Sequence, residues 1–323
     1  MSLDCFLNIV SGLGMFLFGM KQLSDSLEAY VGNEIKTRLQ KAIGTPLKGV
    51  LSGAGVTGII QSSTATTLIS MGLVNAGTIS IYEALPVIMG ANIGTTVTGQ
   101  ILSLAEISQK TPILSFLNPS VLAPFLLIIG TIELIFIKRS DWQQGAKIFI
   151  GLGILFSGIQ MMESGLEPSA HSENFRNVFL YLHNPLLSIV VGIIMTAIIQ
   201  SSSVSLGILQ SLTVTNAIPF ASAIPIILGM NIGKCLPEAI ASLSTDKNTR
   251  RTILADLLVN ASGVFITFLI LSGAEMFFDI PFRKVTATRS MIANFHTVFN
   301  VFTTFALLPF YKIFISISER IIR

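Results

Sequence analysis

Of 323 residues, 20 are Lys or Arg and 17 are Asp or Glu, so charged side chains make up 11% of the chain, where a soluble globular domain carries about 25%. Hydrophobic residues reach 51% and the mean hydropathy is +0.74, which argues against a water-soluble enzyme. The net charge of +3 is small and scattered, so there is no basic stripe for nucleic acid and no nucleic-acid partner is expected. Cys5 and Cys235 lie far apart, as do His171, His183 and His296, and neither set has a metal-ligand spacing.

In chain order, the apolar runs 5–20, 84–104, 118–137, 148–162, 222–243, 252–272 and 290–316 have the length or composition of membrane crossings. The first run continues into Lys21 with no small-residue cleavage pattern, so it is read as retained. Segments 33–43 and 174–183 mix charge with apolar residues at helical spacing and suit helices lying at the interface. Two further apolar stretches, 46–74 and 185–213, carry polar clusters at their centres and are read as re-entrant hairpins, because polar backbone at membrane depth must be buried in protein or line a cavity. With seven crossings and two hairpins, 13 loop Lys and Arg residues fall on one side and 4 on the other. The positive-inside rule then places the C-terminus in the cytoplasm.

Positions recur at one offset, 139, without insertion. Gly12-Leu13-Gly14 returns as Gly151-Leu152-Gly153, Pro46-Leu47 as Pro185-Leu186, Ile59-Ile60-Gln61-Ser62-Ser63 as Ile198-Ile199-Gln200-Ser201-Ser202, and Asn92-Ile93-Gly94 as Asn231-Ile232-Gly233. Three crossings per unit start the second unit from the opposite side, which makes the copies inverted, as in many secondary transporters. The expected fold is therefore all-α and integral to the membrane, with two inverted-topology repeats, re-entrant helical hairpins and discontinuous helices. The first repeat covers residues 1–139, the second 140–278, and a C-terminal transmembrane helix 279–323.

Four polar clusters, paired by this register, are the candidate sites. At the hairpin tips stand Gln61, Ser62, Ser63 and Thr64, and Gln200, Ser201, Ser202 and Ser203. Their amides and hydroxyls, with free N–H groups at the start of the second arm, make a donor-rich cup for an oxyanion. Freed carbonyls at the end of the first arm suit an alkali cation. The second pair, around Asn92 and Asn231 with glycine on both sides, reads as helices unwound at their midpoints; Thr95, Thr96 and Thr98 add oxygens on the first copy. One such cluster alone would more often be helix packing. No Arg lies near either tip in sequence, and neutral donors alone do not hold a dianion in a low-dielectric cavity, so mobile cations must enter with an anionic substrate. There is no Walker A and no Gly-x-Ser-x-Gly pattern.

Gln61-Ser-Ser-Thr-Ala-Thr-Thr67 with Gly90-Ala-Asn-Ile-Gly-Thr-Thr96, and Gln200-Ser-Ser-Ser203 with Asn231-Ile-Gly233, resemble the type II sodium-dependent phosphate cotransporter family. Gly19-Met20-Lys21, Arg250-Arg251 with Asp256 and Asn260, and Arg289 with His296 and Asn300 look like its bacterial members. The resemblance implies a homodimeric symporter in the cytoplasmic membrane that moves inorganic phosphate with sodium and needs no cofactor beyond the coupling ions. It also implies that both Gln-Ser-Ser tips contact phosphate or sodium; with the residue reading above, phosphate is expected at the eight tip residues, and sodium at Asn92, Thr95, Thr96 and Asn231 with Ser63 and Ser202. Many bacterial relatives carry a soluble helical domain after the last span, and this chain, ending at Arg323, is expected to lack one. Thr64 stands where Ser is usual, Asp256 where His is common, and Lys234-Cys235 where the family has two hydroxyl residues. Lys234 either replaces one sodium ion or pairs with Glu238 one helical turn on. A carrier or exporter of another small oxyanion, an intramembrane phosphatase and a purely structural membrane protein are the rival readings.

Overall fold

The computed structural model describes residues 2–42, 44–107, 119–137, 140–168, 182–277 and 285–323. Among these the order is α1 Leu3–Ala42, α2 Pro46–Ile60, α3 Ser63–Asn75, α4 Ile81–Ile107, α5 Pro119–Phe136, α6 Ser140–Leu166, α7 Pro185–Ile199, α8 Ser202–Leu212, α9 Phe220–Gly233, α10 Cys235–Ser242, α11 Lys247–Phe277, α12 Arg289–Leu307 and α13 Tyr311–Ile321. No strand occurs among the described residues; extended pairing is limited to an isolated bridge between Pro219 and Thr286. Six helical stretches are long and apolar enough to cross a membrane, from Leu3–Tyr30 to Arg289–Ile321, and Val121–Phe136 is a shorter apolar helix at the remaining expected crossing. The molecule is an all-α, multi-pass membrane protein.

Local chemistry explains the helix limits. Thr45 caps α2 by accepting from the Lys48 amide at 3.3 Å, and Asn184 caps α7 by accepting from the Leu186 and Leu187 amides at 3.0 and 3.3 Å. Each cap precedes a proline, which fits the first helical position because its missing N–H has no acceptor there. The last crossing bends at a 3-10 turn, Leu308–Phe310, around Pro309. Arg289 at the start of α12 pairs with Glu163 on α6.

Glycines set the closest packing. On α1 and α6, Gly12 faces the backbone of Gly158 and Met162, and Gly19 that of Gly151 and Leu155. Low numbers on one helix meet high numbers on the other, so the two run antiparallel. Shifting every partner by 139 returns the same set: Gly151 faces Gly19 and Leu23, and Gly158 faces Gly12 and Phe16. The seam thus maps onto itself when the two helices are exchanged. Helix α4 lies as closely on α2, where a Cβ at Gly94 would sit 2.5 Å from the Ala54 carbonyl oxygen; α9 repeats this on α7, with Gly233 and the Ile193 carbonyl oxygen also at 2.5 Å.

Two sequence expectations need correction. Residues 33–42 continue α1 rather than forming a separate interfacial helix; of the other expected interfacial segment, 174–181 lies outside the described residues, as do Lys110, Lys138, Arg139, Arg176, Arg283 and Lys284 of the charge count. The first Asn-Ile-Gly segment is not unwound, because α4 is continuous from Ile81 to Ile107. Its glycines serve close approach to α2 and not a break. In the second copy the helix is interrupted only at Lys234, between α9 and α10. Pro237 follows there, and its missing N–H leaves the Gly233 carbonyl without its helical donor.

Candidate functional site

Helices α2 and α3 are joined through Gln61 and Ser62, and α7 and α8 through Gln200 and Ser201. Gln61 has φ 57° and ψ 24°, and Gln200 has φ 61° and ψ 20°, both in the left-handed region. That conformation ends a helix most cheaply at glycine and costs roughly 1–2 kcal/mol at other residues. The next residue is extended and caps the second arm: Ser62 Oγ accepts from the Ala65 amide at 3.1 Å, and Ser201 Oγ from the Val204 amide at 3.3 Å. The arms are also tied together, Thr57 Oγ1 to Thr66 Oγ1 at 2.7 Å and Thr196 Oγ1 to Ser205 Oγ at 3.0 Å. These ties recur at the offset of 139, and no simple sequence motif flags them.

The two tips open on one cavity of about 240 Å³, lined by Gln61, Ser62, Ser63, Thr64, Gln200, Ser201 and Ser203 together with Leu17, Met20, Lys21 and Ser24 of α1. Of the eight tip residues only Ser202 is not part of the lining. The starts of α3 and α8 both face this space, so two sets of first-turn amides and two positive helix ends converge there. The two glutamines are not equivalent. Gln61 is buried, donates to the Gly58 carbonyl at 2.5 Å and accepts from Thr98 Oγ1 at 2.7 Å. Gln200 is exposed to the cavity, and its amide has no protein partner among the described residues.

Lys21 is the cavity's one cationic side chain among the described residues. Its ammonium bonds Asp25 at 2.8 Å and stays largely open to solvent. The sequence separates Lys21 from both tips, and only the continuation of α1 past position 20 carries it there. Ser24 Oγ, one turn further, donates to the Ile60 carbonyl at 3.3 Å and holds α1 against the first tip.

The residues expected to shape ion sites lie elsewhere. Thr95 and Thr96 bond back to the carbonyls of Ala91 and Ile93 at 2.9 and 2.7 Å, and Asn231 bonds the Ile227 carbonyl at 3.0 Å. None of these, nor Asn92, lines the tip cavity. Asn92 belongs to a buried chain instead: Lys234 Nζ donates to Asn92 Oδ1, Asn92 Nδ2 to Asn260 Oδ1 at 3.2 Å, and Asn260 Nδ2 to Asp256 Oδ1 at 3.0 Å. Lys234 therefore bonds Asn92 on α4 rather than Glu238. Asp256 and Asn260 are the buried hydrogen-bonded pair their spacing suggests.

Comparison of the sequence with known proteins identifies relatives. A sequence profile described as Na+/Pi-cotransporter matches residues 15–164 and again 157–299. The chain is 30% identical over 300 residues to the uncharacterized protein YqeW of Bacillus subtilis strain 168, covering 93% of this chain and 92% of that one. It is 24% identical over 318 residues to YjbB of Escherichia coli O157:H7, a protein to which export of inorganic phosphate is ascribed; the match covers 98% of this chain and 56% of YjbB. A segment of 106 residues, 32% of this chain and 16% of the relative, is 31% identical to sodium-dependent phosphate transport protein 2A of Ovis aries. No solved structure matches significantly. With two profile matches spanning both glutamine–serine tips, the chain belongs to the Na+/Pi-cotransporter family of phosphate transporters.

Proposed function

We propose that this protein carries inorganic phosphate together with sodium across the cytoplasmic membrane, by alternating access around the tip cavity. The carrying observation is that both glutamine–serine tips, from separate parts of the chain, line one space together with two helix starts. Ser63, Thr64, Ser203 and the unengaged Gln200 amide supply hydrogen-bond donors; Lys21 adds one positive charge at the cavity wall. One exposed lysine, already paired with Asp25, does not neutralise a phosphate dianion in a partly dehydrated site. Sodium ions entering with the substrate supply the remaining charge, with Ser63, Ser202 and the carbonyls at the ends of α2 and α7 as hard oxygen ligands. No group is transferred on the substrate, and none of the proposed contacts is a nucleophile paired with a base.

The antiparallel, self-matching α1–α6 seam supports two inverted repeats, 1–139 and 140–278, followed by the helix in 279–323. In this reading the tips are re-entrant, the C-terminus is cytoplasmic and the transporter is a homodimer. Radiolabelled phosphate uptake into proteoliposomes, with and without an inward sodium gradient, is the test. Uptake that rises steeply with the gradient is expected; uptake indifferent to sodium removes the symport reading. The ascribed role of YjbB favours a second reading, net export in the cell. The same vesicles, loaded with phosphate and given an outward sodium gradient, measure that direction.

A further inference from the structure

Apart from the tip cavity, a charged group lies inside the helices. Lys234, Cys235, Glu238 and Asp256 are all less than one-tenth exposed. They come from the α9–α10 junction, α10 and α11. Cys235 Sγ and one carboxylate oxygen each of Glu238 and Asp256 lie within 4.8 Å of one another. Two carboxylates and one ammonium leave this group one negative charge in excess. The ammonium donates to Asn92, and no ion pair joins it to either carboxylate among the described residues. Asp256 accepts from Asn260 at 3.0 Å and from the Cys235 thiol at 3.4 Å, which makes the thiol a donor and not a metal ligand. Glu238 is 3% exposed, and its Oε2 is buried without a hydrogen-bond partner. On α12, His296 is 2% exposed and also has a buried Nδ1 without a partner.

Among the described residues, Thr67 is the one hydroxyl set against the Glu238 carboxylate, and a carboxylate so little compensated at this depth is strongly disfavoured. Oxygens no more than 4.8 Å apart are close enough for both to reach one hard cation at its usual separation of roughly 2.3–2.6 Å. We propose that Glu238 and Asp256 together hold one sodium ion in a site separate from the tip cavity, with the Lys234 ammonium as a fixed second cation beside it. This deepens the sodium-coupled reading and rests on it for its role in transport. Its consequence is that the second repeat carries one cation built into the chain and one exchanged with solvent.

The test is thermal unfolding of the purified full-length chain in detergent, without phosphate, in sodium chloride and in choline chloride at equal ionic strength. The wild-type protein is expected to melt higher in sodium. Glu238→Gln and Asp256→Asn should each diminish that shift, while Ser244→Ala, at an exposed position outside both sites, should keep it. Should either neutral variant fail to fold, Glu238→Asp retains the charge but draws back the oxygen, and a weakened sodium midpoint is then expected. A wild-type melting point indifferent to sodium overturns the site. So does a shift that stays undiminished in Glu238→Gln and Asp256→Asn, or one that mild acid reproduces without sodium, which would place a proton there. Sodium-indifferent phosphate uptake would instead sink the coupling reading and leave the melting result standing, so the two failures are distinct.

Discussion

Gln61 and Gln200 are the two residues on which both helical hairpins turn, and each adopts a backbone conformation for which glycine is the better choice. Strain of that kind persists where the side chain is needed for something else. Gln200→Gly is therefore expected to raise stability by about 1 kcal/mol by relieving the left-handed conformation, while phosphate uptake falls. Melting and uptake measured on the same preparation check this; a variant that is less stable and fully active would show that the glutamine serves only the turn. Lys21 has a smaller part. It is exposed and already paired with Asp25, and exposed charge pairs contribute less than about 1 kcal/mol. Lys21→Gln should raise the phosphate KM roughly two- to threefold with little change in maximal rate, and initial uptake rates over a phosphate series measure it. The tips could be read from sequence because glutamine and serine inside an apolar run have no inexpensive fate without partners. Lys21 could not, because its position depends on how far α1 continues in space.

At the scale of helices, glycine was the ambiguous letter. It marks both unwound backbone and close helix contact, and around Asn92 the two readings give opposite structures. The outcome turns on what lies opposite: α2 passes so near α4 that no side chain fits at Gly90 or Gly94. Only contacts distant in sequence decide this. The proline at 237 interrupts the second copy where the first has Thr98, so similar motifs stand on one continuous and one interrupted helix. The α1–α6 seam has the same character, and Gly158→Val tests it. Its Cβ would press on the backbone of Gly12 and Phe16, and overpacking of a tight contact costs about 1–3 kcal/mol. A lowered melting temperature is expected, with weaker uptake at elevated temperature. Unchanged melting would mean that the two helices are not closely seated.

For the molecule as a whole, the constant offset of 139 was legible because matched polar residues held one register over a long apolar sequence. The expected direction of one copy relative to the other rests on counting crossings, and the antiparallel α1–α6 seam is compatible with the inverted arrangement proposed above. What no count reveals is where the copies differ: the first tip's glutamine is tied to Thr98, the second's is unengaged, and Lys234 stands on one copy alone. A seam that looks the same after its two strands of chain trade places lets each half adopt the other's shape with little rebuilding at their border. Were the halves identical, the gate-open forms toward either side of the membrane would be isoenergetic. In the alternating-access reading proposed above, Lys234 and the unequal glutamines break that degeneracy, so an unloaded carrier should rest preferentially facing one compartment.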